Sequence, residues 1–334
     1  MKKIGKQSIE FNNCYIRTTS TVAGKLEKEG PIGNFFDKTY NDNYCSEKSW
    51  EKAEMKLMTD SIDIALKKSN LEESSIDLIV GGDLNNQIVI GNYVLKKYQF
   101  PYLGIYAACS TMTEGLIVGS TFIDNNYGEN VMVTTSSHNS TSERQFRNPT
   151  EYGGQKSCTT TFTATGAVTT MLTNQKTEIK IAKATIGNIV DSTTLDSCDM
   201  GRLMAPAAAQ TLINHLNDFQ ISTNYYDLIV TGDLSTYGKE TFLNLLAQQN
   251  IPKLNNYEDT GLMLYDIKNQ PVFSGGSGAG CVSLVSLGYL YKLMLNGKYK
   301  KVLIIATGAL LNPIMTFQKE TIPAIAHAVA LERV

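Results

Sequence analysis

Apolar residues recur along this chain at two spacings. In WEKAEMKLMTDSIDIALKK (50–68), Trp50, Ala53, Leu57, Met58, Ser61 and Ala65 fall on one stripe at helical spacing, and MAPAAAQTLINHL (204–216) plays the same part later. Each predicted helix is followed by a continuous apolar run that closes on a Gly-Asp pair, IDLIVGGDLN (76–85) and YDLIVTGDLS (226–235). Runs of that kind read as buried strands entering a turn. The agreement continues downstream. Residues 103–137 read strand, helix, strand (LGIYAACS, TMTEGLIVGSTFI, VMVTTSS), and residues 272–309 repeat that order (VFSGGSG, CVSLVSLGYLYKLML, VLIIATGA). The pattern predicts two copies of one βα unit, with halves at 1–175 and 176–334.

The downstream helices lack a polar face. From Pro101 to Ile123 the only charge is Glu114, and from Pro271 to Tyr291 there is none. A helix without a polar side is buried all round. Two of them in matching halves predict a central helical layer between two sheets, with amphipathic helices outside. The expected fold is therefore α/β with five layers, α/β/α/β/α, and two pseudo-symmetric halves.

Composition narrows the function. The 334 residues are 42% hydrophobic and 19% charged, near the average for α/β proteins, and a formal charge of −2 offers no basic field for nucleic acid. The cysteines, at 14, 45, 109, 158, 198 and 281, show no CxxC pair and no metal-ligand spacing, so reduced thiols and no resident metal are expected. The opening MKKIGKQSIEFNNC has no apolar core of the signal-peptide type, and the longest apolar run, VLIIATGALL (302–311), is about half of the roughly 20 residues a spanning helix needs. Any membrane attachment is expected to be peripheral. GGSGAGC (275–281) does not fit a dinucleotide fingerprint, because the third glycine position falls on Cys281; no cofactor is expected.

The stretch YAACSTMTEGL (106–116) sets Cys109 among small residues where a strand gives way to a helix. That layout, on a layered duplication, resembles the thiolase fold. More narrowly, GDLNNQI, ACSTMTEGL, TSSHNSTSERQFRNPTEYGGQ, APAAAQT, DLIVTGDL, FSGGSGAGC, ATGALLNP and IAHAVALE, in that order, resemble the stage V sporulation protein AD family over nearly the whole chain. The resemblance implies a protein that binds dipicolinic acid (pyridine-2,6-dicarboxylate), free or as its calcium salt. It further implies work beside membrane proteins of one transport complex, peripherally on the spore or forespore inner membrane. It also implies a twofold homodimer built across an edge strand after residues 139–155.

Thiolase-type condensing enzymes hold a thiolate at a helix N-terminus and draw a histidine, and a second histidine or asparagine, from the other half. The corresponding places here carry Gly232, Asp233 and Leu234, and then Gly275 to Gly280, with no imidazole or amide. The expectation is a non-catalytic site. An active condensing or acyl-transfer enzyme using Cys109 is the alternative, and a dimeric scaffold with an empty pocket is a third reading.

A flat dicarboxylate asks for fork-shaped cations or N–H groups and a stacking surface. The candidate ligand-binding residues are Cys109, Ser110, Ser136, His138, Arg144, Gln145, Tyr152 and Gly153, with Arg147, Gly278 and His327 as secondary candidates; the alternative for the two arginines is the dimer interface, where Arg147 is expected before Arg144. His138 is singled out because it follows a strand at its C-terminal end, where α/β sheets place ligands. His215 is expected on an outer surface, His327 as a hydrogen-bonded core residue in a last strand, and Asp83 and Asp233 as helix N-caps.

Overall fold

The computed structural model describes residues 1–146 and 155–334. Ten strands form its frame. The first half contributes β1 (Tyr15–Ala23), β2 (Leu78–Gly82), β3 (Tyr102–Gly104), β4 (Asn130–Ser137) and β5 (Gly166–Thr173). The second contributes β6 (Ile179–Thr185), β7 (Leu228–Thr231), β8 (Tyr257–Asp259), β9 (Lys301–Ala309) and β10 (Pro323–Arg333). Their spatial orders are β3-β2-β4-β5-β1 and β8-β7-β9-β10-β6. Subtracting five from each label of the second order gives the first. The directions match as well: β2 and β7 are parallel to both neighbours, and the remaining pairs in each half are antiparallel. One residue pair, Tyr15 with Lys180, joins β1 to β6.

Helices fill three layers around these halves. The amphipathic α1 (Trp50–Ser69) starts where the Ser49 side chain accepts the Lys52 N–H and ends on Asn70 in the left-handed conformation. Its Leu57, Met58 and Ile62 pack outside the first half against Ile79, Met132 and Met171, with α2 (Val89–Leu95) alongside. The charge-poor α3 (Thr111–Asp124) lies inside, followed along the chain by α4 (Asn139–Phe146). Outside the second half lie α5 (Met200–Phe219) and α6 (Ser235–Gln248), with Leu203, Met204 and Leu212 against Ile229, Leu303 and Ile305. The second inner helix, α7, begins at Ala279–Ser283, continues through a π-helical stretch at Leu284–Leu290, and ends at Tyr291–Leu295. Met112, Leu116, Leu284 and Leu287 of α3 and α7 share one core with Val80, Val133 and Val168 of one half and Val230, Ile304 and Val329 of the other. The five-layer order expected from the charge-poor helices is present.

Three local expectations are corrected. The second-half partner of β3 is β8, not VFSGGSG; only Gly276–Ser277 of that run is extended, and it pairs with Phe162–Thr163 of the first half. The Tyr-Glu-Asp of β8 is too short and polar to announce itself. The first strand after the 139–155 segment is the short Phe162–Thr163; the next, β5, is no edge of the ten-strand frame, because β1 and β4 flank it and the frame ends at β3 and β8. His215 is fully buried, with Nδ1 2.7 Å from Thr185 Oγ1 and Nε2 2.6 Å from the Tyr226 hydroxyl. A short polar contact on each ring nitrogen is what lets a histidine sit beneath the outer helix. Among the described residues no helix is long and apolar enough to cross a membrane.

Candidate functional site

Between the end of β3 and the start of α3 the chain must turn sharply inward. Ala108 does so at φ 50°, a left-handed conformation that a non-glycine residue adopts at a cost of roughly 1 kcal/mol or more. The turn is held by its own hydroxyls: Ser110 Oγ donates to Ala107 O at 2.7 Å and Thr111 Oγ1 donates to Ala108 O at 2.6 Å. Cys109 sits at its crest, buried except for an edge that faces a cleft of about 390 Å³ including the open mouth. Cys109, Phe146 and Thr163 from the first half and Met200, Ser277 and Leu311 from the second are among its walls. No lysine or arginine lies among the described lining residues.

The opposite wall is built by the short pairing of Phe162–Thr163 with Gly276–Ser277, in which Ala164 N donates to Ser277 O at 2.7 Å. Gly278 follows at φ 100°, where a Cβ would lie 2.9 Å from both Ser137 Oγ and Thr163 Cγ2, so only glycine fits the approach. Gly280 N donates to Ser137 Oγ at 2.9 Å, tying the start of α7 to the end of β4. Asp233 closes the floor beneath Cys109. Its Oδ2 accepts the Gly278 N–H at 2.8 Å, and the thiols of Cys109 and Cys281 lie against the carboxyl. It is not the cap of α6. That role belongs to Asp259, which accepts the Leu234 and Ser235 N–H groups at 3.1 and 2.9 Å. Asp83 behaves as expected, accepting from Asn85 N at 2.8 Å and Gly91 N at 2.9 Å.

The other candidates scatter. Ser110 is buried inside the Cys109 turn. Ser136 points to the opposite side of β4 and donates to Glu54 Oε1 at 2.9 Å. Glu54 also receives Thr141 Oγ1 and Asn85 Nδ2, and burial, followed by the neighbouring Asp83, pushes its carboxyl up to about 8. His138 is fully buried, donating from Nε2 to Asn43 O at 2.7 Å while Nδ1 accepts the Ser140 N–H at 3.2 Å. Burial holds its pKa below the usual range, and it is not part of the cleft wall. Arg144 turns to α1, where it pairs with Glu51 and lies 5.4 Å from the Trp50 ring. The Gln145 amide brackets Asn86, with its oxygen accepting the main-chain N–H and its nitrogen donating to the side chain, each at 3.0 Å, behind the Leu84 lip. His327 on β10 accepts the Gly187 N–H at 3.1 Å, and burial pushes it down to about 4. Arg147, Tyr152 and Gly153 lie outside the described residues.

The fold thus brings Cys109 and Gly278 together and leaves Ser136, His138, Arg144 and His327 with other partners. Sequence reasoning gave Asp233 only a capping role and passed over Ser277, Cys281, Met200 and Leu311. For Asp233 a signal was present, since the repeat carries it into the place where condensing enzymes have a histidine. The cleft can offer a carboxylate the hydroxyls of Thr163 and Ser277, which line it. Among the described residues no cluster of three His, Cys, Asp or Glu is placed to hold a metal.

A family model described as stage V sporulation protein AD matches residues 5–332. The stage V sporulation protein AD of Bacillus subtilis (strain 168) is 44% identical over 334 residues, covering 100% of this chain and 98% of that protein. Among solved structures, a variant of OleA from Xanthomonas campestris superimposes with a TM-score of 0.61 at 11% identity, covering 97% of this chain and 99% of that one. The 3-oxoacyl-[acyl-carrier-protein] synthase III of Aquifex aeolicus VF5 does so with a TM-score of 0.54 at 16% identity, covering 98% and 100%. At such identities these likenesses concern the fold alone, which is thiolase-like.

Proposed function

The chain belongs to the stage V sporulation protein AD family, and from that premise we propose that this sporulation protein is a non-catalytic binder of dipicolinic acid, free or as its calcium salt. It would work as a peripheral dimer beside membrane proteins of one transport complex at the forespore inner membrane. One observation carries the reading: Cys109 faces the Asp233 carboxyl where a condensing enzyme would need a histidine. A buried carboxyl kept protonated beside a thiol supplies neither the positive charge that sustains a thiolate nor a base that takes the thiol proton. Each missing function is worth factors of roughly 10² or more, so little catalysis is left. What remains is a cleft walled by apolar and hydroxyl groups, the kind of lining that an aromatic ring bearing carboxylates asks for.

Titration calorimetry with dipicolinate tests the reading. Wild type should bind, and Met200→Trp, which fills the cleft, should weaken binding at least about tenfold, a loss of roughly 1.4 kcal/mol. Arg144→Ala, which removes a partner of Glu51 and Trp50, should leave the affinity within about threefold, below roughly 0.7 kcal/mol. Absence of both heat and thermal shift with wild type would end the binding claim. Incubation with acyl-coenzyme A addresses the enzymatic alternative, since rapid labelling confined to Cys109 would restore it.

A further inference from the structure

Asp233 leaves β7 at φ 66°, and its side chain is fully buried. Oδ2 has the Gly278 N–H; Oδ1 has no N–H or O–H donor. The groups that face this carboxyl are the thiols of Cys109 and Cys281, the carboxyl of Asp259 on the adjacent β8, and the phenol of Tyr265, and none of them is a cation. Asp259, by contrast, accepts from Thr231 Oγ1, Leu234 N, Ser235 N and Gly261 N, and Lys239 faces it. Burial raises Asp259 too, but two neighbouring buried carboxyls do not both ionise readily, and the member with more donors keeps the charge. Burial, followed by the charge of Asp259, raises Asp233 well above the usual carboxylate range.

We propose that Asp233 is carried as a neutral acid beneath Cys109 and that its proton decides which charge the cleft accepts. As a positioning residue it acts through Cys109. Its O–H donates to the Cys109 sulfur, which turns the S–H outward as a donor toward an incoming carboxylate. Once ionised, Asp233 would instead set a negative charge, with no cation among its described neighbours, behind a site meant for a dianion. The inference rests on the dicarboxylate reading above and assigns the residue that makes the reading physically tenable without a described cation in the cleft.

The experiment is dipicolinate calorimetry from about pH 6 to about pH 10, a range in which both ligand carboxyls stay ionised, so that only the protein titrates. Wild-type affinity should be flat at first and then fall by about tenfold per pH unit once the pKa of Asp233 is passed. Asp233→Asn keeps an acceptor for Gly278 and cannot ionise; whatever its affinity at neutral pH, it should lose the alkaline fall. A flat wild-type profile, or an unchanged fall in Asp233→Asn, overturns the inference. Infrared spectroscopy of protein with isotope-labelled aspartate supplies a readout without ligand: a protonated-carboxyl band at neutral pH that disappears in Asp233→Asn supports it, and absence of the band in wild type refutes it even if the variant does not fold. No heat from wild type at any pH defeats the dicarboxylate reading, while the band still decides the state of Asp233.

Discussion

His215 shows how one side chain can make stability depend on pH. Its ring is neutral between Thr185 and Tyr226, and burial, followed by the charge of Lys183, pushes its pKa from 6.5 down to about 3. The folded protein therefore refuses a proton that the unfolded chain accepts below about pH 6.5, and the stability contributed by the neutral ring is present above that value and lost as pH falls toward 3. His215→Phe should cost about 1–3 kcal/mol at neutral pH by stranding two hydroxyls. The gap to wild type should then shrink by about 2 kcal/mol by about pH 5. Urea titrations at several pH values measure it, and a gap that does not change with pH would remove the histidine from the account. Two partners 30 residues upstream and 11 downstream make this ring buried, and neither is visible in the local pattern that suggested a surface position.

At the scale of elements, α5 and α6 meet where two glycines face each other. A Cβ on Gly201 would lie 2.3 Å from Leu234 O, and one on Gly238 2.3 Å from Gly201 O, so the backbones approach with nothing between them. Gly238→Ala must push the helices apart, and the strain should outweigh the gain in helix propensity, for a net loss of about 1–3 kcal/mol in thermal or urea unfolding. An unchanged midpoint would mean that the helices slide freely over the outer face. Strong periodicity made α1, α5 and the repeated strands β2 and β7 legible, as did the scarcity of charge in α3 and α7. β8 was not legible, because three residues of Tyr-Glu-Asp acquire strand character only by pairing with Ile229, Val230 and Thr231 of β7.

For the whole molecule, the pseudo-twofold frame leaves β3 and β8 as open edges, and an open edge is a surface that proteins either cover or blunt. β3 carries exposed Leu103, with Tyr106 just beyond it and Tyr93 of α2 nearby in the same half, and it precedes Cys109 directly. If the proposed dimer forms there, light scattering should give twice the 36.7 kDa chain mass, and Leu103→Lys should shift it toward monomer. A monomeric wild type, or a variant that stays dimeric, would take the interface away from this edge. The sequence by itself determined the duplication, the layer order and the position of Cys109, because periodicity and charge-poor helices are written locally and survive without a partner. Only the tertiary structure decided which residues meet: it turned Arg144 onto Glu51, sealed His138 against Asn43, gave the α6 cap to Asp259, and brought Asp233 beneath Cys109 from 124 positions away along the chain. A site assembled across two halves depends on strand register and backbone approach, and those are set by packing between segments that carry no mark of each other in their own order of residues.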